Sequence, residues 1–450
     1  MARLQKPVNP GRLLILGYLV IIFCGAILLY LPISSKNITP IDALYTSTSA
    51  VCVTGLIVKD TAVDFTLFGK FIILLLIQIG GLGYMTLSTA FFFFLGQKIG
   101  LRDRLLVKEQ FNFLSYDNLR RFAFTVIRVT LVIESLGALL LFIYFMHSHM
   151  KIELAAGHAV FHSISAFCNA GFSTFSENLA GYSHSYLVPL VISTLIICGG
   201  IGFIVISDIY KTYFTKKNKH LSLHSKTVLL STLILITIGT ILILLLEWRQ
   251  SLNGYPLIQK IVNAYFHSVS PRTAGFNTLN ISVFHLSTQL LLIILMFIGA
   301  SPGGTGGGVK TTTFSIIILQ LRALLSGQDE LLLFRRRVPR EQTFKAFLLI
   351  GLAITWLLTS LFLLLIFNRS NMNFITTLFE LVSAFGTVGL SLGSNVLPTV
   401  SASYDFTVIG KMIIITTMII GRVGILTLGT ALIQRKLVKY THPEGVILVG

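Results

Sequence analysis

The segment SAVCVTGL at Ser49–Leu56 decides the fold, because altered copies of it recur along the chain. The other copies are SAFCNAGF at Ser165–Phe172, SPRTAGF at Ser270–Phe276 and SAFGTVGL at Ser383–Leu390. Each copy follows a short apolar and aromatic run of helical character, and in each a serine precedes a glycine by five or six residues. One copy alone would fit an ordinary helix that ends at a glycine, but four copies in the same order indicate an internal repeat.

The composition between these segments is that of a membrane protein. Of the 450 residues, 54% are hydrophobic and only 12% are charged, and the mean hydropathy is +0.82. Soluble globular proteins carry about 25% charged residues, so that class is excluded, as are disordered and collagen-like chains. An apolar run of about twenty residues is long enough to cross a bilayer. We predict eight such spans, near residues 13–31, 68–96, 121–147, 186–211, 227–248, 287–322, 343–367 and 406–434.

A second glycine motif follows each copy of the first. It reads GGLG at Gly80–Gly83, GGIG at Gly199–Gly202, GRVG at Gly421–Gly424 and, in longer form, ASPGGTGGGVK at Ala300–Lys310. The repeating unit is therefore a span, a short helix, an extended segment that ends at a glycine, and a second span. The segment between the spans is too short and too polar to cross the membrane by itself.

These repeats predict an all-α integral membrane protein with eight transmembrane spans and four re-entrant pore helices, related by a pseudo-fourfold axis. Residues 1–450 form a single transmembrane pore unit. Its repeats cover approximately 12–100, 120–213, 225–322 and 343–437, and 438–450 is a cytoplasmic C-terminal tail.

The basic residues indicate the orientation in the cell membrane. The net charge is +18, and Lys and Arg concentrate on one set of predicted loops, as in Arg335, Arg336 and Arg337. Because cytoplasmic loops are enriched in Lys and Arg, both termini are predicted to be cytoplasmic. The charge is thus mainly a topology signal, and nucleic acid is not an expected partner.

Four re-entrant units around one axis suit the conduction of a cation. Non-helical backbone is tolerated at membrane depth only where protein buries it or where it lines a watery cavity. The C-terminal ends of four short helices carry partial negative charge, and rings of carbonyl groups can replace the hydration shell of an alkali ion. Glycine permits the backbone angles that turn carbonyls towards such an axis.

Together these motifs resemble the Trk/Ktr/HKT superfamily of potassium transport proteins over essentially the whole chain. The first span begins about ten residues from the N-terminus, which is more similar to the bacterial Ktr membrane subunits (KtrB or KtrD type) than to other branches. The resemblance implies a potassium selectivity filter, since a glycine stands at all four filter positions. The implied K⁺-binding residues are Val53, Thr54, Gly55, Asn169, Ala170, Gly171, Thr273, Ala274, Gly275, Thr387, Val388 and Gly389.

The same resemblance implies the partners. Members form homodimers on a cytosolic ring of nucleotide-binding regulatory subunits of the KtrA or KtrC type. The nucleotide is accordingly expected on that partner, and no cofactor is expected in this chain apart from K⁺ as the transported ion. The basic inner loops would suit such a docking surface, and anionic membrane lipid explains them equally well.

The glycine-rich stretch Gly299–Gly308 cannot sustain a helix within the sixth span, because it holds six glycines and a proline. A nucleotide-binding P-loop is disfavoured, since Val309 separates Gly308 from Lys310. The resemblance implies an intramembrane gate below the filter. The implied gate residues are Gly299, Ala300, Ser301, Pro302, Gly303, Gly304, Thr305, Gly306, Gly307, Gly308, Lys310 and Arg422.

Arg422 lies near the centre of the last predicted span, where a charge is costly and by default functional. We expect it to face the pore beneath the filter, near the glycine-rich loop, as a cationic barrier and an anchor for the closed gate. A buried ion pair with Glu134, Asp208 or Glu380 is the equally weighted alternative. Lys310 is similarly placed and can extend towards the cytoplasm.

Enzymatic activity has no support in the sequence, which shows no nucleophile–base pair and no cluster of metal ligands on a soluble surface. Two other transport or membrane functions stay open. One is a potassium–sodium or potassium–proton symporter with alternating access. The other is a membrane receptor or anchoring scaffold, which would give no cation flux.

Overall fold

The computed structural model describes residues 10–83, 119–215, 219–328, 330–368 and 373–432. Within these ranges the longer elements are helices, and one short β-hairpin lies among them. In chain order they are α1 (Pro10–Tyr30), α2 (Pro40–Val51), α3 (Leu67–Leu82), α4 (Leu119–His147), α5 (Ile152–Phe167), α6 (Leu187–Ile201), α7 (Phe203–Ile209), α8 (Leu223–Glu247), α9 (Leu257–Val269), α10 (Leu286–Phe297), α11 (Thr311–Leu325), β1 (Leu332–Leu333), β2 (Arg336–Arg337), α12 (Arg340–Phe367), α13 (Phe374–Gly386), α14 (Val408–Val423) and α15 (Ile425–Leu432). A π-helical turn at Tyr210–Phe214 continues α7, and single 3₁₀ turns lie at Ala180–Tyr182, Ile281–Val283 and Ala402–Asp405.

The same succession of elements occurs four times. A long helix (α1, α4, α8 or α12) is followed by a short helix (α2, α5, α9 or α13), and then by one of the four glycine segments. The short helices therefore stand where the sequence predicts them. In the described residues the four long helices are each apolar enough and long enough to cross a membrane.

The short helices form the centre of the molecule. An aromatic side chain occupies the equivalent position in each of them, nine or ten residues before the glycine, and all four are buried: Tyr45, Phe161, Phe266 and Phe379. The long helices instead expose apolar residues such as Ile27, Leu131 and Phe362. An apolar surface outside a core that contains many polar residues is the arrangement expected of a protein surrounded by lipid.

In three repeats the described residues show a break in the second helix, which corrects the prediction of continuous spans at 186–211 and 406–434. Helices α6 and α7 meet at 95° at Gly202, whose φ is +100°. Helices α14 and α15 are separated by Gly424, with a φ of +91°. Both glycines close a copy of the second motif, and an α-helix cannot continue through a residue of positive φ.

In the first and third repeats a helix also ends at the second glycine motif. Helix α3 ends before Gly83, whose φ is +77°, and the remainder of the predicted span 68–96 lies outside the described residues. The predicted break within 287–322 is present, since α10 ends at Phe297 and α11 begins at Thr311. By length alone the described residues contain four spanning helices, or five if α6 with α7 is one span. The count of eight spans stays a prediction, as does the tail 438–450, which also lies outside the described residues.

A buried ion pair joins the first repeat to the last. Asp42 in the first turn of α2 lies 2.8 Å from the ammonium of Lys411 in α14, and both side chains are buried. The Thr39 hydroxyl caps α2 by accepting a hydrogen bond from the amide of Asp42. Losing one partner of such a pair would leave an uncompensated buried charge, so the pair favours this one arrangement of the two repeats.

Candidate functional site

The four glycine segments share one unusual backbone conformation. In each segment the glycine and the residue two positions before it have positive φ, and the residue between them does not. The φ angles are +57° and +92° at Val53 and Gly55, +60° and +69° at Asn169 and Gly171, +77° at both Thr273 and Gly275, and +49° and +89° at Thr387 and Gly389. A β-branched residue with positive φ is an outlier, and such strain persists only where the surroundings impose it.

The serine at the start of each segment imposes part of this conformation. In the first repeat the carbonyl of Ser49 accepts a hydrogen bond from the amide of Thr54 (2.8 Å), and its hydroxyl accepts one from Gly55 (3.0 Å). In the fourth repeat Ser383 binds the amides of Val388 (2.9 Å) and Gly389 (3.1 Å) in the same way. The amides of these segments therefore face the short helix.

The second and third repeats use the serine slightly differently. The carbonyl of Ser165 accepts from the amide of Ala170 at 2.7 Å, and that of Ser270 accepts from Ala274 at 2.9 Å. The hydroxyls of these two serines donate forward, to the carbonyls of Phe172 and Phe276 respectively. The sequence showed the serine–glycine spacing, and the structure shows that this spacing closes a turn.

The four glycines form a closed ring in chain order. A Cβ added to Gly55 would lie 2.9 Å from the Cα of Gly171, and one added to Gly171 would lie 3.1 Å from the Cα of Gly275. A Cβ added to Gly275 would lie 3.1 Å from the Cα of Gly389, and one added to Gly389 would lie 2.9 Å from the Cα of Gly55. A side chain at any of these positions would collide with the next repeat.

Four carbonyl groups lie at this ring without a donor from the described residues. They belong to the middle residue of each segment, and each lies against the glycine of a neighbouring repeat: Thr54, Ala170, Ala274 and Val388. A buried carbonyl that is left unpaired is costly unless another partner satisfies it. Such a ring of carbonyls suits a weakly hydrated alkali cation. Divalent ions favour carboxylates, and the described residues hold no cluster of three or more His, Cys, Asp or Glu side chains that could bind a metal.

The glycine-rich loop between α10 and α11 lies directly against this ring. The amide of Gly307 donates to the hydroxyl of Thr387 at 2.9 Å. A Cβ added to Gly306 would lie 2.7 Å from the Cβ of Thr273. Thr387 and Thr273 are the first residues of the predicted filter segments in the fourth and third repeats, so the loop contacts the candidate ion path at two points.

Hydrogen bonds hold the loop to the broken helix of the second repeat. The amides of Ser301 and Thr305 donate to the carbonyls of Gly200 (3.0 Å) and Gly199 (3.1 Å). The carbonyl of Gly303 accepts from the amide of Phe203 at 3.0 Å, immediately after the break at Gly202. The break thus exposes a backbone amide that the loop then satisfies.

Arg422 lies beneath the ring and bonds to two carbonyls. Its guanidinium donates to the carbonyl of Thr305 in the loop and to that of Gly80 in the first repeat, through two short hydrogen bonds. The ammonium of Lys310 donates within the loop, to the carbonyl of Gly306 at 2.7 Å. Arg422 therefore links the loop to the first and fourth repeats.

The three carboxylates proposed as ion-pair partners of Arg422 bind other groups in the described residues. Glu134 accepts from the amide of Gln78 at 3.1 Å, and Glu380 accepts from the hydroxyl of Ser403 at 2.6 Å. Asp208 accepts from the hydroxyl of Ser225 at 2.6 Å. None of the described salt bridges involves Arg422, so the predicted ion pair with these carboxylates is not seen and the anchor role stays a prediction.

Two further buried cations, which the sequence did not predict, lie in the third and fourth repeats. Lys411 forms the pair with Asp42, and Arg272, which directly precedes Thr273, is only 7% exposed and donates to the hydroxyl of Thr232 at 3.3 Å. A charged residue within a predicted apolar span or repeat segment is the signal that could have identified both.

Comparisons with known proteins agree with this geometry. The TrkH family, described as a cation transport protein, matches residues 14–440. The Ktr system potassium uptake protein B of Bacillus subtilis (strain 168) is 38% identical over 446 residues, covering 98% of this chain and 97% of that protein. The potassium/sodium uptake protein NtpJ of Enterococcus hirae is 35% identical and covers 100% of this chain and 99% of its own. The crystal structure of the potassium transporter TrkH from Vibrio parahaemolyticus superposes with a TM-score of 0.75 at 20% identity, covering 96% of this chain and 86% of that one.

Proposed function

Because the chain belongs to the TrkH family of cation transport proteins, we propose that it is the ion-conducting membrane subunit of a potassium uptake system. The observation that carries the proposal is the closed ring of Gly55, Gly171, Gly275 and Gly389, with four carbonyls at it that no described donor reaches. Potassium would exchange its hydration shell for these carbonyls while it passes the ring.

The proposed topology has eight crossings of the cell membrane with both termini in the cytoplasm. Long helices such as α1 and α8 supply four of the crossings. The second helix of each repeat would supply the other four, with α6 and α7 bent at Gly202, where the amide of Phe203 binds the loop. The excess of Lys and Arg on one set of loops supports this orientation.

The experiment that tests the proposed function is potassium or rubidium uptake by vesicles that contain the purified chain. We expect uptake driven by the membrane potential, with sodium competing weakly. A protein that is only a receptor or a scaffold gives no flux, and that result would refute the proposal.

Replacing Gly55 by Ser is expected to raise sodium permeation relative to potassium. The new Cβ would lie 2.9 Å from the Cα of Gly171, and the φ of +92° disfavours any L side chain, so the ring must widen or shift locally. The measurement is the ratio of sodium to rubidium flux in the same vesicles. An unchanged ratio would count against the assignment of Gly55 to the filter.

We propose that the loop Gly299–Gly308 gates the ring from the cytoplasmic side, with Arg422 and Lys310 anchoring its closed state. Its contacts with Thr273 and Thr387 support this proposal, because both residues belong to the proposed filter. The two cations would also repel potassium while the loop is closed.

Replacing Arg422 by Ala is expected to raise unregulated potassium flux, since it removes two hydrogen bonds that tie the loop to the first and fourth repeats. Flux and thermal unfolding are measured on the same preparation. Arg322→Ala is the control, because Arg322 is an exposed arginine in α11. A variant that fails to fold, while the control folds, would argue for a purely structural Arg422.

The proposed partners are a second copy of the chain and a cytosolic regulatory subunit, on which a regulatory nucleotide would bind. The name of the Bacillus relative places that protein in a Ktr system, and the basic loops of this chain offer a surface for such a subunit. A symporter is the competing mechanism, and the name of the Enterococcus relative includes sodium. Strict stoichiometric coupling of potassium to sodium or protons would favour the symporter, and single-molecule currents beyond transporter turnover would favour a channel.

A further inference from the structure

A cavity of about 250 Å³ lies where the end of α11, the β-hairpin and the start of α12 meet. Its apolar wall includes Leu324, Leu331, Val338 and Phe347. Leu331 and Val338 are buried beneath the hairpin and bond to each other through the amide of Val338 and the carbonyl of Leu331 at 2.9 Å. One side of the cavity is therefore formed by the hydrogen-bonded base of the β-hairpin.

The mouth of the cavity is cationic. Arg337 and Arg340 belong to its lining, together with Glu330, which pairs with Arg337 at 3.0 Å. Arg335 and Arg336 extend from the same hairpin and are exposed. The described salt bridges therefore leave three of these four arginines without a carboxylate partner.

The cavity also lies at the border between apolar and charged surface. Leu325, at the end of α11, is 90% exposed, and Phe344, in the first turns of α12, is 70% exposed. Large exposed apolar side chains beside an arginine cluster are typical of the level at which a membrane protein meets the lipid headgroups.

We propose that this cavity binds one anionic phospholipid of the cytoplasmic leaflet, with its phosphate between Arg337 and Arg340 and an acyl chain along Leu324 and Phe347. Arginine binds phosphate oxygens through two parallel hydrogen bonds. Basic pockets between helices on the cytoplasmic side are suited to anionic headgroups. The assignment of the leaflet rests on the orientation in the proposed function, whereas the chemistry of the ligand does not.

The test uses the purified full chain in detergent, equilibrated with equal amounts of phosphatidylglycerol and phosphatidylcholine, and measures the lipid retained per chain by native mass spectrometry. We expect the wild type to retain phosphatidylglycerol preferentially. The double variant Arg337→Gln/Arg340→Gln should retain at least about tenfold less of it, a change of about 1.4 kcal/mol. Arg322→Gln is the control, because it removes one positive charge from α11 by the same Arg-to-Gln change outside the cavity, and it should retain as much as the wild type.

A second variant separates shape from charge. Val338→Trp fills the cavity and keeps every arginine, so it should also lose the retained phosphatidylglycerol while its thermal unfolding shows whether the hairpin still folds. Equal retention of both lipids by the wild type, or equal loss in Arg322→Gln, would overturn the proposal. If the wild type retains both lipids equally, a cytosolic protein would be the better explanation of the arginines in the hairpin. Because retention is measured without ion flux, its failure is distinguishable from failure of the proposed transport function.

Discussion

Deletion of Gly306 and Gly307 is expected to raise potassium flux through the isolated chain by at least about tenfold. The deletion removes the hydrogen bond from Gly307 to Thr387 and the close approach of Gly306 to Thr273. It also shortens the loop, whose ends are held by the hydrogen bond from Gly299 to Val309 at 2.8 Å. It further removes the Gly306 carbonyl that accepts a hydrogen bond from Lys310. Each hydrogen bond is worth about 1 kcal/mol, so the two losses together exceed the about 1.4 kcal/mol that corresponds to a tenfold change in rate.

Rubidium uptake by vesicles without any regulatory subunit measures this effect. The comparison variant is Gly181→Ala plus Gly351→Ala, since an added Cβ meets no atom within 4 Å at either glycine and neither has a positive φ. A flux equal to that of the wild type would show that the loop does not gate conduction. A flux that rises for sodium and potassium alike would show instead that the deletion has damaged the ring.

Replacement of Gly389 by Ala is expected to lower potassium flux by about 100-fold, because the new methyl group crowds the carbonyl of Thr54 in the proposed filter and overpacking costs about 1–3 kcal/mol. The Cβ would lie 2.9 Å from the Cα of Gly55, and the backbone of Gly389 has a φ of +89°. Both the collision and the left-handed conformation oppose any residue other than glycine.

The matched control is Gly351→Ala in α12, where an added Cβ meets no atom within 4 Å. Alanine has the higher helix propensity, so this variant should be at least as stable as the wild type and equally active. Gly389→Ala should still purify as a folded protein by thermal unfolding. Normal flux in folded Gly389→Ala would contradict the assignment of the ring.

The repeats were predictable because their signals are local. A serine, a glycine six residues later and an apolar helical run before them were enough to place α2, α5 and α13, together with the glycines that form the ring. The break at Gly299–Gly308 was equally clear, since glycine and proline remove helix propensity wherever they stand.

The sequence did not predict the breaks at Gly202 and Gly424, although both glycines close a copy of the second motif. A single glycine inside an apolar run is compatible with a continuous helix at a cost of about 1 kcal/mol. Only a partner for the freed backbone groups makes the bend favourable. For Gly202 that partner is the carbonyl of Gly303, which lies in another repeat.

The sequence by itself determined that this chain is a fourfold repeated, apolar, helical membrane protein with one glycine at the equivalent position of each repeat. Only the tertiary structure decided which residues of one repeat contact those of another. Arg422 reaches Gly80 across 342 residues and Lys411 reaches Asp42 across 369 residues. Hydrophobic period and turn chemistry describe neighbours along the chain. The closed ring of glycines and its contact with the loop depend instead on segments that share no local pattern.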